Sequence, residues 1–345
     1  MIPGGAIRPD GPGRTAPLPR SVLNQSKISR LEDGQPGGVN PIDIVVTGAN
    51  GAVGQALIQH FSQGSDIVPR RIRALVRSVA RAEALHPLAA ELIEIDYSNP
   101  LSLREAVEGA EAIVHFAGGL KTRPGESLWE SNCGTTLALL EAVKGIHLRC
   151  FVFLSHPGSD LDARNGFLQS KGIAEKRILD AALPGAIFRV PMILGQGNES
   201  LERILRKVQA PIAPLVGGGS VRVQSVSQSD VIAAIEWVLS APPMPMQTMG
   251  LSGPDTVTYA DLIGRVARRL GKQPKLFPVP KLLARLAGWA TEAVSPAAGS
   301  DRAALDTIFT EHIEPAGASA KSELPFALAP VNETLNRIFP MTESG

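Results

Sequence analysis

The feature that most constrains this chain is a short apolar run that ends in a glycine turn. Ile42-Asp43-Ile44-Val45-Val46 reads as a strand. Thr47-Gly48-Ala49-Asn50-Gly51-Ala52-Val53-Gly54 follows, and then the helical spacing Ala56, Leu57, Phe61. Strand, glycine turn and helix in this order form a phosphate cradle. Gly48 allows a tight turn, Gly51 lets backbone approach a pyrophosphate, and Gly54 permits close packing of helix on strand. The helix N-terminus adds unpaired N–H groups and partial positive charge for an anion. A dinucleotide is the ligand this predicts. The blander reading is an ordinary glycine-rich turn between a strand and a helix. It must be weighed against the regular alternation that follows.

Further strands are predicted at Ile72–Val76, Glu91–Ile95, Ala112–Phe116, Cys150–Leu154 and Ala186–Val190. Helices are predicted between them at about 80–85, 101–107, 130–145 and 166–182. This alternation implies a parallel sheet with helices on both faces, an α/β doubly wound Rossmann fold. After Pro191 the pattern loosens. Pro211, Pro214 and Gly217-Gly218-Gly219 mark a loop, and helices are expected at about 230–239, 259–270 and 281–294. These make a smaller, mostly helical C-terminal substrate lobe. From Pro296 the periodicity is weak, and partial mobility is expected there. The predicted organisation is a flexible Gly/Pro/Ser/Arg-rich tail over residues 1–40, then an NAD(P)-binding domain over 41–194. The lobe covers 195–345, with later Rossmann elements interleaved.

Composition narrows the partners. A formal charge of +1 and only 4% aromatics argue against nucleic acid. Two cysteines, Cys133 and Cys150, make neither a disulfide framework nor a zinc cluster, so a cytoplasmic, reducing setting is expected. Cys133 reads as a packing thiol rather than a nucleophile. The six histidines show no metal-ligand spacing, so no metal is expected. The longest uncharged stretch, between Glu236 and Asp255, holds Pro242, Pro243, Pro245 and Pro254 and reads as a loop, not a membrane span. The N-terminus lacks an apolar signal core. Its spread arginines, Arg8, Arg14, Arg20 and Arg30, show no amphipathic helix, so a targeting peptide is the minor reading.

The end of the second strand chooses between the two nicotinamide dinucleotides. An acidic residue there binds the ribose 2′-hydroxyl, whereas an arginine accommodates a 2′-phosphate. Here the strand ends Leu75-Val76-Arg77-Ser78, with Arg73 and Arg81 nearby and no Asp or Glu. NADP(H) is therefore favoured over NAD(H). The alternative makes Arg77 a solvated surface charge. Asp96 and Tyr97, after the third strand, are placed toward the adenine. Ala117, Gly118 and Gly119, after the fourth, let backbone approach the cofactor closely.

Taken together, Thr47–Gly54, Ile95-Asp96-Tyr97, His115-Phe116-Ala117-Gly118, Asn132-Cys133-Gly134-Thr135, Phe153-Leu154-Ser155 and Arg189-Val190-Pro191 resemble the short-chain dehydrogenase/reductase superfamily. Val226–Val231 is similar to a later strand-to-helix junction of the same superfamily. The likeness is to its extended and atypical branches, which include nucleotide-sugar epimerases, NmrA-like proteins and complex I 39-kDa-subunit-like proteins. It covers about residues 42–270. The resemblance implies a serine that polarises a carbonyl, a tyrosine that moves its proton, and a lysine four residues later that binds the nicotinamide ribose. Ser155 and Lys171 occupy the serine and lysine positions, but Phe167 replaces the tyrosine. A phenyl ring cannot donate a proton. No shift of register restores the motif, because Tyr97 precedes Leu101 by four and Tyr259 precedes Ile263 by four. His156 or Asp160 could substitute as an acid, although His156 reads more simply as a surface imidazole. The basic amphipathic segment Lys281–Trp289 fits a helix covering the cofactor lobe, or contact with a membrane surface or quinone-like substrate.

Three functions remain open on these residues. The first is an atypical NADPH-dependent oxidoreductase or epimerase-like enzyme that acts on an unknown small molecule without the usual tyrosine. The second is a non-catalytic dinucleotide-binding redox sensor. The third is an accessory or assembly subunit with a protein partner.

Overall fold

The first strand is buried along its whole length because it lies in the middle of a seven-stranded sheet. The computed structural model describes residues 42–64, 70–88, 90–120, 125–283 and 324–340. The first half of the sheet contains β1 (Ile42–Thr47), β2 (Arg70–Val76), β3 (Glu91–Glu94) and β4 (Ala112–His115). β5 (Cys150–Ser155), β6 (Gly185–Arg189) and β10 (Gln247–Gly250) complete it. The spatial order is β10-β6-β5-β4-β1-β2-β3, and every pairing is parallel. The order reverses direction at β1, between β2 and β4. That reversal opens a crevice at the C-terminal ends of the strands, directly above the glycine turn.

Period-two burial divides the core. Ile44 and Val46 face α1 (Ala52–Ser62) and α6 (Gln228–Ser240), through Leu57, Ile58 and Ile235. Val45 faces α2 (Pro100–Val107), α3 (Thr135–Ala142) and α4 (Gly166–Asp180), through Leu103, Leu139 and Ile178. Each layer excludes water from one face of the sheet, and that apolar burial is the main stabilising term.

The C-terminal part holds more strand than its periodicity predicts. β7 (Met192–Leu194), β9 (Arg222–Ser227) and β11 (Thr256–Thr258) form one small sheet, and β8 (Ile212–Val216) pairs with β12 (Lys275–Val279) in another. β7 and β11 have only three residues, β8 and β12 each contain a proline, Pro214 and Pro278, and β9 is mostly polar, so no apolar run stands out. They pack with α5 (Glu199–Gln209), α7 (Tyr259–Arg269) and α8 (Val331–Ile338) around Ile204, Leu262, Ile263 and Leu335. α8 lies where little order was expected. It is held by Asp230, which accepts from Ala329 N at 2.6 Å and from Arg337 Nη1 at 3.1 Å.

Other expectations are corrected locally. The segment read as a proline-rich loop contains β10, which extends the main sheet beside β6. The helix expected at 80–85 is two 3₁₀ turns, Val79–Arg81 and Glu83–Leu85. Arg73 does not join the arginines at the end of β2. It is buried, donating through Nε to Asp43 at 2.9 Å and through Nη1 to Ala106 O at 2.9 Å. The tail at 1–40 and almost all of the helix expected at 281–294 lie outside the described residues. Among the described residues no helix is long and apolar enough to cross a membrane.

Candidate functional site

The glycine turn has the geometry that the spacing demands. Gly48 has φ +63°, and a Cβ there would lie 2.7 Å from Ala117 N and from the Phe116 carbonyl carbon. A Cβ on Gly54 would lie 2.8 Å from the Ala49 Cα, so α1 can pack on β1 only without one. Gly51 differs: a Cβ there would meet only Gly48 O, at 3.2 Å, so its other side is open. The turn closes through Gly51 N donating to Gly48 O at 2.9 Å. Asn50 ties it to the segment after β2, donating through Nδ2 to Arg81 O at 2.9 Å. Ala52, Val53 and Gly54 form the first turn of α1, whose N–H groups have no partner within the helix.

A cavity of about 470 Å³ opens beside this turn. Gly48, Gly51, Arg77, Tyr97, Ala117 and Gly118 help to line it. Its floor suits a dinucleotide: backbone only at Gly51, a helix N-terminus behind it, and a guanidinium at the end of β2. Thr47 lies beneath the cavity rather than in its wall. Its Oγ1 is 2.6 Å from His115 Nδ1, and His115 Nε2 is 3.0 Å from Thr136 Oγ1. Burial foremost, and then Lys171, push the His115 pKa down to about 3, so this imidazole stays neutral.

Arg77 is not a solvated surface charge. It forms a two-bond fork with Glu126, Nη1 to Oε2 at 3.1 Å and Nη2 to Oε1 at 2.8 Å. Its guanidinium carbon also lies 5.7 Å from the centre of the Tyr97 ring. The Tyr97 hydroxyl is buried, and burial pushes its pKa up to about 12 against smaller downward pulls from Thr47 and Arg77. Asp96 stands outside the cavity wall, exposed, with Oδ1 accepting from Ser98 N at 2.8 Å. Gly118, at φ +102°, passes so close to Asn132 that a Cβ would lie 2.5 Å from its Oδ1. Asn132 holds this segment by donating to Gly119 O at 3.1 Å and Leu128 O at 2.9 Å. It sits in a π-helical turn, Glu130–Gly134, that leads into α3.

The end of β5 and the start of α4 form a second corner. Ser155 is the last residue of β5, and its Oγ donates to Ser159 Oγ at 3.1 Å. Lys171 projects from α4, donates through Nζ to Leu154 O at 2.9 Å, and lies 4.5 Å from the Phe153 ring centre. Burial lowers its pKa to about 8, against a smaller upward pull from Glu175. Phe167, one helical turn earlier, is only 5% exposed and packs against Leu120, Leu128 and Ala163. Its ring meets His156 edge-on, with centroids 5.7 Å apart. His156 Nδ1 lies 2.7 Å from Pro157 O, so that nitrogen carries the proton. Gly172 lets the loop after β5 cross α4: a Cβ there would lie 2.4 Å from the Asp160 backbone. Arg189 secures the same loop, donating to Ser159 O at 3.1 Å while paired with Glu175.

Both cysteines are buried, and burial raises both thiols, Cys150 to about 12, as packing groups require. Among the described residues no cluster of His, Cys, Asp or Glu is arranged to hold a metal. Sequence reasoning missed Glu126 altogether. Its position shows only when the segment after β4 is brought to the end of β2.

Residues 48–191 match a family model described as NAD(P)H-binding. The ceramide reductase of Caulobacter vibrioides is 26% identical over 242 residues, covering 69% of this chain and 73% of that protein. The mitochondrial NADH dehydrogenase (ubiquinone) 1 alpha subcomplex subunit 9 of Arabidopsis thaliana is 25% identical over 266 residues, covering 74% of this chain and 66% of that protein. The Escherichia coli NADPH-dependent quinone oxidoreductase QOR2, solved with NADPH, shares the fold at a TM-score of 0.63 and 18% identity, covering 86% of this chain and 99% of that one. The chain therefore carries an NAD(P)H-binding domain on a Rossmann-like fold and resembles the extended and atypical short-chain dehydrogenases/reductases.

Proposed function

We propose that this protein is an NADPH-dependent oxidoreductase that works on an apolar acceptor without a tyrosine acid. The observation that carries the reading is that an open glycine turn and an arginine fork line one cavity. In this reading residues 41–194 hold the dinucleotide and 195–345 shape the substrate side. The first turn of α1 and Gly51 take the pyrophosphate, Arg77 the 2′-phosphate, and Tyr97, Ala117 and Gly118 the adenosine side. Lys171 binds the nicotinamide ribose, and Ser155 orients the acceptor oxygen. A bound nicotinamide supplies a hydride.

The protein must then hold an acceptor whose reduced oxygen needs no proton from residue 167. Leu120 and Leu128, half-buried against Phe167, offer an apolar wall to it. A quinone or conjugated carbonyl fits this chemistry, because its reduced anion is delocalised and takes its proton from water. The two thiols suit a reducing, cytoplasmic setting.

A second reading is favoured by the same phenylalanine. With Phe167 sealed in an apolar cluster and Ser155 bonded to Ser159, a dinucleotide-binding sensor or accessory subunit needs no further chemistry. One experiment separates the two. NADPH, NADP⁺ and NADH are titrated by calorimetry, and NADPH oxidation is then followed with a soluble quinone and a set of aldehydes. Tight NADPH binding with turnover supports the oxidoreductase. Binding without turnover on any acceptor supports the sensor or subunit. Absence of binding removes both.

A further inference from the structure

Arg77 and Glu126 reach each other from opposite walls of the cavity. Arg77 follows β2, and Glu126 lies in the segment after β4. β1 lies between those strands in the sheet, so the pair spans the mouth above the glycine turn. Both side chains are shielded, 27% and 20% exposed, and both line the cavity. The contact is a parallel two-bond fork, the geometry in which a guanidinium also grips a phosphate.

A carboxylate and a phosphate cannot occupy the same two N–H donors. The 2′-hydroxyl of NAD(H) is neutral and makes no such demand. Resting on the reading that Arg77 faces the 2′ position, we infer that Glu126 is a cofactor-discriminating residue. Its carboxylate holds the Arg77 fork and gives way to a 2′-phosphate, which reduces the advantage of NADP(H) over NAD(H). Glu126 acts through Arg77 and is a positioning residue.

The test is a double-mutant cycle on the full chain, with dissociation constants for NADPH and NADH measured by calorimetry. Glu126→Gln keeps the shape and removes the charge. It should tighten NADPH about tenfold and leave NADH within about twofold. In an Arg77→Ala background the same substitution should no longer favour NADPH. Thermal melts check that each variant is folded, and Glu126→Asp, which keeps the charge, should remain close to the parent in its NADPH/NADH ratio. An unchanged ratio in Glu126→Gln overturns the inference. So does an equal change for both dinucleotides, or a gain that persists without Arg77. If the parent protein binds neither dinucleotide, the reading of the cavity itself fails. If it binds one or both and Glu126→Gln leaves the ratio unmoved, only the role of Glu126 fails.

Discussion

The two corners of the site are built on opposite plans. At the end of β1 the backbone is left open: Gly51 has a bare side, α1 presents unpaired N–H groups, and Arg77 forks onto Glu126 in the wall of the cavity. At the end of β5 the polar groups are already satisfied within the protein. Ser155 bonds to Ser159, Lys171 to Leu154 O, and the position one turn before Lys171 is filled by a buried phenyl ring. The first corner is organised for an anion from outside. The second is organised around an apolar contact. Binding a dinucleotide and moving a proton are therefore separable here, and each can be tested without the other.

The strongest test strikes the open corner. Gly48→Val adds a branched side chain at φ +63°, where even a Cβ falls 2.7 Å from the backbone of β4's end. It should weaken dinucleotide binding by more than about a hundredfold and lower the melting temperature, because neither backbone can move away. Gly264→Ala, in α7 and away from the cavity, is the control. Its added Cβ would meet only Arg268 Nη1, at 3.5 Å, so calorimetry should find binding within about twofold of the parent.

The closed corner is tested by Phe167→Tyr. A hydroxyl one turn before Lys171 supplies the missing acid and should raise aldehyde reduction by about a hundredfold, measured as NADPH oxidation. An unchanged rate means that the corner has left carbonyl chemistry behind. Arg77→Ala returns to the open corner with a smaller effect. NADPH should weaken about tenfold and NADH by less than about twofold, on the charge-assisted bonds lost.

The smallest effect concerns stability. Lys171 has its pKa lowered to about 8 from an ordinary 10.5 because burial disfavours its charge. Between those values the unfolded chain binds more protons than the folded one, so folding is penalised fully below pH 8 and the penalty fades as pH rises toward 10.5. Lys171→Met should therefore stabilise the protein by about 1–2 kcal/mol at pH 7, after the lost bond to Leu154 O is counted, and by less at pH 10. Denaturant melts at the two pH values measure the difference. The same variant should bind NADPH more weakly if the ammonium holds the ribose.

Much of this was legible along the chain. The glycine turn announces itself because Gly48 and Gly54 stand where backbone comes too close for a side chain. β1, β4 and β5 are apolar runs because both faces of each are covered. Phe167 and Lys171 are one turn apart on a helix, so four residues of spacing suffice to relate them. β10 resisted the same treatment: Gln247-Thr248-Met249-Gly250 makes no apolar run, and only its pairing with β6 defines it.

What chain-local chemistry settled, then, is the alternating parallel-sheet fold, the glycine turn and the placing of Phe167 one turn before Lys171, since each depends on neighbours within a turn or a strand. What needed the folded molecule is every contact between distant segments. Arg73 turns to Asp43 and away from the cavity, Arg77 meets Glu126 across 49 positions, and Asp230 captures α8 across 107. His115 is neutral because burial and Lys171 surround it, not because of its own neighbours in sequence. Charge pairing between distant segments is a property of space, and the sequence carries no period or spacing from which it can be read.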